Sequence, residues 1–159
     1  MSSHPFTQYP LLVLVVDDDI DTVESQADLL SLQGHTVRTA RNGEEALTCA
    51  ETERPDVVLL DIRMPGQNGC DVARAIRKNC AGKRQPIIIA VTGCSSEDDL
   101  RRSEGAGFDL HLVKPVEPAI LVGVLERIRR LLTPPIPAAE LDHPSEDPPD
   151  GWQGRHCCV

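Results

Sequence analysis

The 159-residue sequence predicts an α/β protein with a (βα)5 arrangement, in which helices cover both faces of a doubly wound, parallel, five-stranded sheet. Five short apolar runs rich in Val, Ile and Leu recur along the chain, and segments with helical spacing separate them. Two of these runs, VVLL and PIIIAV, are almost continuous in apolar residues, as is typical of parallel strands buried on both faces. Together these observations predict a three-layer sandwich whose ligand site lies at the carboxyl ends of the strands.

The predicted strands and helices alternate along the chain. The strands cover residues 11–16, 36–40, 57–60, 86–91 and 109–113. The apolar positions with helical spacing are Val23, Ala27 and Leu30 after the first strand, Ala46, Leu47 and Ala50 after the second, and Val72, Ala73 and Ile76 after the third. The last helix is predicted over residues 118–132, where the periodic pattern stops before a pair of prolines.

Residues with capping roles mark the ends of the predicted helices. Gly34, Gly82 and Gly105 or Gly107 follow helical segments, at positions where a left-handed residue commonly ends a helix. Asp19 or Asp21 is expected to cap the first helix, because a carboxylate can accept hydrogen bonds from the free N–H groups of the first turn. These signals support the division into five strand–helix units.

The composition allows one compact core, since 40% of the residues are hydrophobic. We expect one domain over residues 11–132, after a short arm at 1–10 and before a disordered, acidic, proline-rich tail at 133–159. Because this tail is too short and too rich in proline to form a DNA-binding module, the domain is expected to stand alone. Its Trp152 is either a docking anchor for a partner or an inert aromatic residue.

Charge and cysteine content exclude several classes of protein. The formal net charge of -9 argues against a nucleic acid partner, because phosphate backbones are bound by Lys and Arg. The longest apolar run, residues 11–16, is far shorter than the roughly 20 residues of a membrane helix, so we expect a cytoplasmic protein with no membrane partner. The six cysteines form no C-x-x-C pair, which favours reduced thiols over a zinc site or a disulfide framework.

Acidic residues follow two of the predicted strands directly. Asp17 and Asp18 come after the first strand, and Asp61 comes after the third. If these strands are neighbours, the carboxylates converge, and two of them about 5 Å apart repel by roughly 3 kcal/mol at an effective dielectric constant near 20. A hard divalent cation such as Mg²⁺ would balance them, because it binds one or two carboxylates and leaves positions for phosphate oxygens.

Two further polar residues follow the fourth and fifth strands. Lys114 could neutralise one phosphoryl oxygen, and the hydroxyl of Thr92 could donate to another, so that one carboxylate becomes a nucleophile toward phosphorus. Taken singly, each residue has a simpler interpretation: a helix N-cap for an aspartate, a turn residue for Thr92 and a solvated charge for Lys114. Their joint placement at strand ends favours a shared site.

Four segments resemble the receiver domain of two-component response regulators: LVVDDD, VVLLDIRMPGQNG, IIIAVTG and HLVKP. The resemblance extends over about residues 11–132, and the segments occur in the family's order and at its separations. It implies a flavodoxin-like sheet with strand order 2-1-3-4-5.

The resemblance also implies a role for each site residue. Asp61 is the expected phosphoacceptor, and Mg²⁺ is held by Asp17, Asp18, Asp61 and the backbone carbonyl of Arg63. Thr92 and Lys114 are expected to contact the phosphoryl group. The Lys114–Pro115 bond is a candidate cis peptide, and Pro65, Gly66 and Gly69 are expected to shape the loop after the phosphoacceptor.

One position departs from the common pattern of the family. His111 stands where a switch Tyr or Phe is usual, three residues before the lysine. It is either a half-buried strand histidine or a switch group coupled to Thr92 and sensitive to pH. Arg63 and Cys94 occupy the places that tune the lifetime of the phosphoryl group in the family.

The function implied is that of a single-domain phosphorelay switch and not of an enzyme. A histidine kinase or a histidine phosphotransfer domain would donate to Asp61, and the fourth helix, fifth strand and fifth helix would contact a downstream protein. A phosphate sink or shuttle and a pseudo-receiver that only docks partners are alternatives. A Mg²⁺-dependent aspartyl phosphatase is disfavoured, because it would need an acid where Arg63 stands.

Overall fold

Five parallel strands form the central sheet of this computed structural model, which describes residues 9–93 and 97–133. They are β1 (Leu12–Val16), β2 (Thr36–Ala40), β3 (Val57–Asp61), β4 (Ile87–Thr92) and β5 (Leu110–Val113). Their order across the sheet is β2-β1-β3-β4-β5, and every neighbouring pair is parallel. The structure therefore confirms the predicted fold class and strand order.

Helices cover both faces of this sheet. They are α1 (Ile20–Leu32), α2 (Gly43–Glu53), α3 (Gly69–Asn79), α4 (Glu97–Glu104) and α5 (Pro118–Leu132). Alternate side chains of β1, β3 and β4 point to opposite faces, so one apolar core forms against α1 and α5 and a second against α2 and α3. Burial on both faces explains why the β3 and β4 sequences are continuously apolar.

The residues that cap the helices agree with the prediction, except at Gly105 and at the end of α2. Asp19 caps α1 by accepting a hydrogen bond from the Asp21 amide at 3.1 Å. Gly34, Gly82 and Gly107 have positive φ angles, whereas Gly105 does not. The end of α2 was not predicted, because Arg54 adopts the left-handed conformation there without being a glycine.

The strand ends differ from the prediction by single residues. The ladder includes Asp61, which pairs with Val91, and Thr92, which pairs with Val113. Both residues are therefore fixed by the sheet and do not belong to a loop. A two-residue antiparallel ladder, Arg63–Met64 with Gln67–Asn68, was not predicted and closes the turn after β3.

Asp56 ties β1 to β3 at the end of the sheet opposite the strand carboxyl ends. Its side chain accepts a hydrogen bond from the Leu12 amide at 2.8 Å, and its own amide donates to the Leu12 carbonyl at 2.8 Å. The Arg84 guanidinium donates to the second carboxylate oxygen of Asp56 at 2.5 Å. This buried aspartate is thus satisfied on both oxygens, as a buried carboxylate must be.

Several predictions fall outside the described residues. These are most of the arm at 1–10, the tail beyond Thr133 with Trp152, and Cys94, Cys157 and Cys158. Of the other three cysteines, Cys49 and Cys80 are half-buried free thiols, and Cys70 is buried in the first turn of α3. No helix formed by the described residues has the length and apolar character needed to cross a membrane.

Candidate functional site

The carboxylates of Asp17, Asp18 and Asp61 converge at the carboxyl ends of β1 and β3. The two strands are neighbours in register, with Val16 opposite Leu60, so the residues that follow lie side by side. One carboxylate oxygen from each aspartate lies within 4.8 Å of the other two. Asp17 and Asp61 are buried, whereas Asp18 is exposed.

Lys114 places its ammonium group against this cluster. Its Nζ atom lies 2.7 Å from Asp17 Oδ2 and 3.4 Å from Asp61 Oδ2. The backbone positions the side chain, because the Lys114 amide donates to the Thr92 carbonyl at 2.8 Å and so extends the pairing of β4 with β5. The Lys114–Pro115 peptide bond is cis. One ammonium group therefore contacts both buried carboxylates.

The environment shifts the pKa of Asp61 and of Lys114. Burial raises the pKa of the Asp61 carboxyl and the Asp17 carboxylate adds to this, while Lys114 and the Arg63 amide act in the opposite direction. For Lys114, burial lowers the pKa, but the hydrogen bond to Asp17 and the charges of Asp61 and Asp17 outweigh it, so the pKa is raised. The lysine thus stays charged beside a carboxylate that ionises less readily than usual.

Backbone amides hold two of the carboxylates in place. Asp61 Oδ1 accepts a hydrogen bond from the Arg63 amide at 3.1 Å, and Asp17 Oδ1 accepts one from the Asp19 amide at 3.0 Å. The first bond keeps residue 63 beside the acidic cluster. Asp61 Oδ2 faces Lys114 instead. Each carboxylate oxygen of Asp61 therefore has its own partner, the Arg63 amide for Oδ1 and the Lys114 ammonium for Oδ2.

Gly69 allows the chain to pass directly against the backbone of Asp61. A Cβ atom at this position would lie 2.3 Å from the Asp61 carbonyl oxygen and 2.7 Å from Ile62 Cα. The Gly69 amide donates to the Ile62 carbonyl at 2.8 Å. The sequence motif indicated a glycine that shapes this loop, but its close approach to the backbone was not predicted.

Thr92 lies at the strand end beside the site, whereas His111 contacts α4. Thr92 is buried at the end of β4, level with Val113 in the ladder. The His111 side chain is half-buried on β5, and its Nε2 atom lies 2.6 Å from the hydroxyl oxygen of Ser103 in α4. The Ser103 hydroxyl donates to the Leu100 carbonyl at 2.7 Å, so His111 Nε2 is the donor to Ser103. Sequence reasoning missed Ser103.

Known proteins share this arrangement of elements. The chain is 40% identical over 120 residues to the transcriptional regulatory protein PrrA of Mycobacterium tuberculosis, a match that covers 76% of this chain and 49% of that protein. It is 37% identical over 119 residues to the DNA-binding response regulator MtrA of Mycobacterium leprae, covering 74% and 51%. The solved structure of the Vibrio cholerae chemotaxis protein CheY4 superposes with a TM-score of 0.70 at 31% identity, covering 76% of this chain and 99% of that one.

These relatives bear on one expectation about partners. The chain spans about half the length of the curated relatives it matches. One of those proteins is named as DNA-binding, so the relatives give no support to the expectation that nucleic acid is not a partner. The family model of the response regulator receiver domain matches residues 13–126. With the receiver fold and the acidic cluster described above, this match shows that the chain belongs to the receiver domain family of two-component response regulators.

Proposed function

We propose that this domain accepts a phosphoryl group on Asp61 from the phosphohistidine of a histidine kinase or a histidine phosphotransfer domain. The observation that carries the proposal is the position of the Lys114 ammonium between two buried carboxylates at the sheet edge. A structural ion pair would need only one of them. The second carboxylate is costly to bury, and its position supports a role in chemistry.

Transfer requires one bond to form as another breaks. An Asp61 carboxylate oxygen forms the new P–O bond while the P–N bond of the donor breaks, and the imidazole leaves with the electron pair. The charge on the phosphoryl oxygens is then stabilised by groups already in place. Lys114 neutralises one oxygen, and the Thr92 hydroxyl donates to another. Neither side chain has to move far, because both are held at the strand ends.

The acidic cluster fits a hard divalent cation. Three carboxylates offer oxygen ligands within 4.8 Å of one another, and the Lys114 ammonium contacts two of them. Asp17, Asp18, Asp61 and the Arg63 carbonyl would hold Mg²⁺. When bound, the metal would supply charge neutralisation of the phosphoryl oxygens. Phosphorylation and magnesium binding are typical of the family.

The output surface that we propose consists of α4, β5 and α5. Large apolar side chains are exposed on each of these elements, namely Leu100 on α4, Leu110 and Val113 on β5, and Ile120 on α5. Thr92 and His111 connect this surface to the site through β4 and β5, and His111 also binds α4 through Ser103. A change around Thr92 would therefore alter contacts with a downstream protein.

Incubation with Mg²⁺ and acetyl phosphate tests the acceptor chemistry. We expect intact mass spectrometry to show the gain of one phosphoryl group in the wild type and none in Asp61→Asn. Asp71→Asn is the matched control, because Asp71 is an exposed aspartate on α3 and should gain the same mass as the wild type. Equal mass gain in Asp61→Asn would refute the assignment, and a wild type that gains none and shows no Mg²⁺-dependent response to beryllofluoride would favour the pseudo-receiver.

A further inference from the structure

A cleft of about 400 Å³ lies between α2 and α3, at the opposite end of the sheet from Asp61. Pro55 precedes β3 and lines the cleft, whereas Asp61 ends the same strand, so roughly 17–20 Å of strand separates the cleft from the phosphoacceptor. The size is within the range of ligand pockets in proteins. No step of the proposed phosphoryl transfer uses this cleft.

Positive charge dominates the lining of this cleft. Arg54, Lys83 and Arg84 all border it, and Glu51 is the acid among its lining residues. Glu51 accepts a hydrogen bond from Asn79 at 2.8 Å across the two helices. The chain as a whole carries a net charge of -9, so the cleft is a positively charged patch on an acidic protein.

Two of the three cations have no partner within the described part of the chain. Arg84 binds Asp56, but neither the Arg54 guanidinium nor the Lys83 ammonium makes a hydrogen bond or ion pair with any residue of 9–93 or 97–133. Both side chains are exposed at the rim. They are therefore available to bind an anionic group.

The floor of the cleft is apolar. Ala50, Pro55 and Pro86 are buried there, and Cys80 is half-buried beside them. Proline rings or an aromatic ring can pack on such a surface, while acidic side chains reach the cations at the rim. The cleft thus suits an extended peptide that combines prolines with acids.

The sequence of this chain contains such a peptide beyond α5. Residues 145–152, SEDPPDGW, carry Glu146, Asp147 and Asp150 around two prolines and end at Trp152. About a dozen residues separate Thr133 from this segment and can span about 40 Å when extended. That reach is comparable to the diameter of a domain of this size.

The last turns of α5 and the cleft lie at the same end of the sheet. The charges of Arg129 and Glu126 act on His35, whose Nδ1 atom accepts a hydrogen bond from the Leu11 amide. The next residue, Leu12, binds Asp56, and Asp56 binds Arg84 at the cleft. α5 therefore ends at the same end of the sheet as the cleft, on the opposite face.

We propose that the cleft between α2 and α3 binds the acidic segment 145–152 of the same chain, with its carboxylates paired to Arg54 and Lys83 and its prolines and Trp152 on the apolar floor. Because the segment is tethered, its effective concentration at the cleft is in the millimolar range, so modest contacts suffice for binding. The segment would cover the α2–α3 surface and leave the phosphoacceptor accessible.

The fluorescence of Trp152 tests this proposal directly, because it is the one tryptophan of the chain. In the full chain we expect its emission to be shifted to shorter wavelength and protected from acrylamide, relative to a synthetic peptide of residues 145–159. Arg54→Glu with Lys83→Glu should lower the docking equilibrium about five- to thirty-fold and move both readings toward those of the peptide. Lys78→Glu with Arg127→Glu is the matched control, since it changes the charge equally at exposed positions outside the cleft and should leave both readings unchanged.

A second measurement identifies the surface that is covered. In hydrogen exchange, replacing Glu146, Asp147 and Asp150 by Lys should remove protection from residues 50–55 and 79–84. Wild-type emission and quenching equal to those of the free peptide would overturn the proposal, as would a Trp152 signal that the cleft double variant leaves unchanged. A signal that rises with protein concentration would also overturn it, because the segment of another copy would then be the occupant. Asp61→Asn should retain docking, so the proposed function and this inference can fail independently.

Discussion

His111 Nε2 donates a hydrogen bond to the Ser103 hydroxyl, and this bond joins β5 to α4. Ser103 is fully buried, so its hydroxyl has no water to replace a lost partner. The position that usually carries a switch aromatic therefore makes a directional polar contact here. The Phe108 ring packs against the imidazole in a T-shaped arrangement, with 5.6 Å between the ring centroids.

Ser103→Ala should lower the free energy of unfolding by about 1–2 kcal/mol, because it leaves the His111 N–H without its acceptor. Urea denaturation measures the change. Ser31→Ala, at an exposed position in the last turn of α1, is the control and should stay within about 0.5 kcal/mol of the wild type. Equal midpoints for Ser103→Ala and Ser31→Ala would show that the bond contributes nothing to stability.

Gly69→Ala and Gly123→Ala should have opposite effects on stability. At position 69 the new Cβ would meet the backbone of Asp61 and Ile62, and we expect a loss of about 1–3 kcal/mol. At position 123, in an exposed turn of α5, nothing lies within 4 Å, and alanine should stabilise the helix by up to about 1 kcal/mol. Thermal unfolding of both variants checks the signs, and a neutral Gly69→Ala would contradict the described loop.

Asp61→Asn should stabilise the metal-free protein at neutral pH. The raised pKa of Asp61 means that the folded state takes up this proton at a higher pH than the unfolded chain, so the ionised form costs stability. This loss of folding free energy reaches its full size above the raised pKa of Asp61 and disappears below the ordinary carboxyl pKa of 3.8. Denaturation from pH 3 to pH 8 should therefore show an advantage for Asp61→Asn that grows with pH.

The control for this pH series is Asp71→Asn, which changes the same functional group at an exposed position. The difference in free energy of unfolding between Asp71→Asn and the wild type should stay constant from pH 3 to pH 8. A constant difference between Asp61→Asn and the wild type over the whole pH range would rule out the described environment of Asp61.

Mg²⁺ should raise the stability of the wild type but not that of Asp18→Asn. A ligand that binds only the folded state at 100 times its dissociation constant contributes about 2.7 kcal/mol. Asp18 is exposed, so its replacement should change the metal-free stability little while removing one ligand of the cluster. Asp21→Asn is the control, and a full Mg²⁺ response in Asp18→Asn would exclude Asp18 from the metal site.

The sequence was sufficient to predict the elements whose signals are local. Apolar runs located the strands, and Asp19, one of the two acids expected to cap α1, is its N-cap. The runs ended one residue early at Asp61 and Thr92, because a polar residue within a strand ladder has no apolar signal.

Contacts between distant parts of the chain were harder to predict. The bond of His111 with Ser103 joins different elements, and no periodicity marks it. The approach of Gly69 to Asp61 likewise depends on the path of the whole loop. Arg54 ends α2 in a conformation that sequence reasoning assigns to glycine. Such features are set by tertiary packing, which overrides local preference.

Asp56 influences the position of Asp61 from the far end of β3. Its two bonds to Leu12 fix which residues of β1 and β3 are level with each other. A shift of one residue in this alignment would turn Asp61 to the other face of the sheet, away from Asp17 and Lys114. Asp56 does not contact the acidic cluster, but it therefore sets the register of β1 against β3. Replacing Asp56 would misalign the side chains of the site without changing any of them.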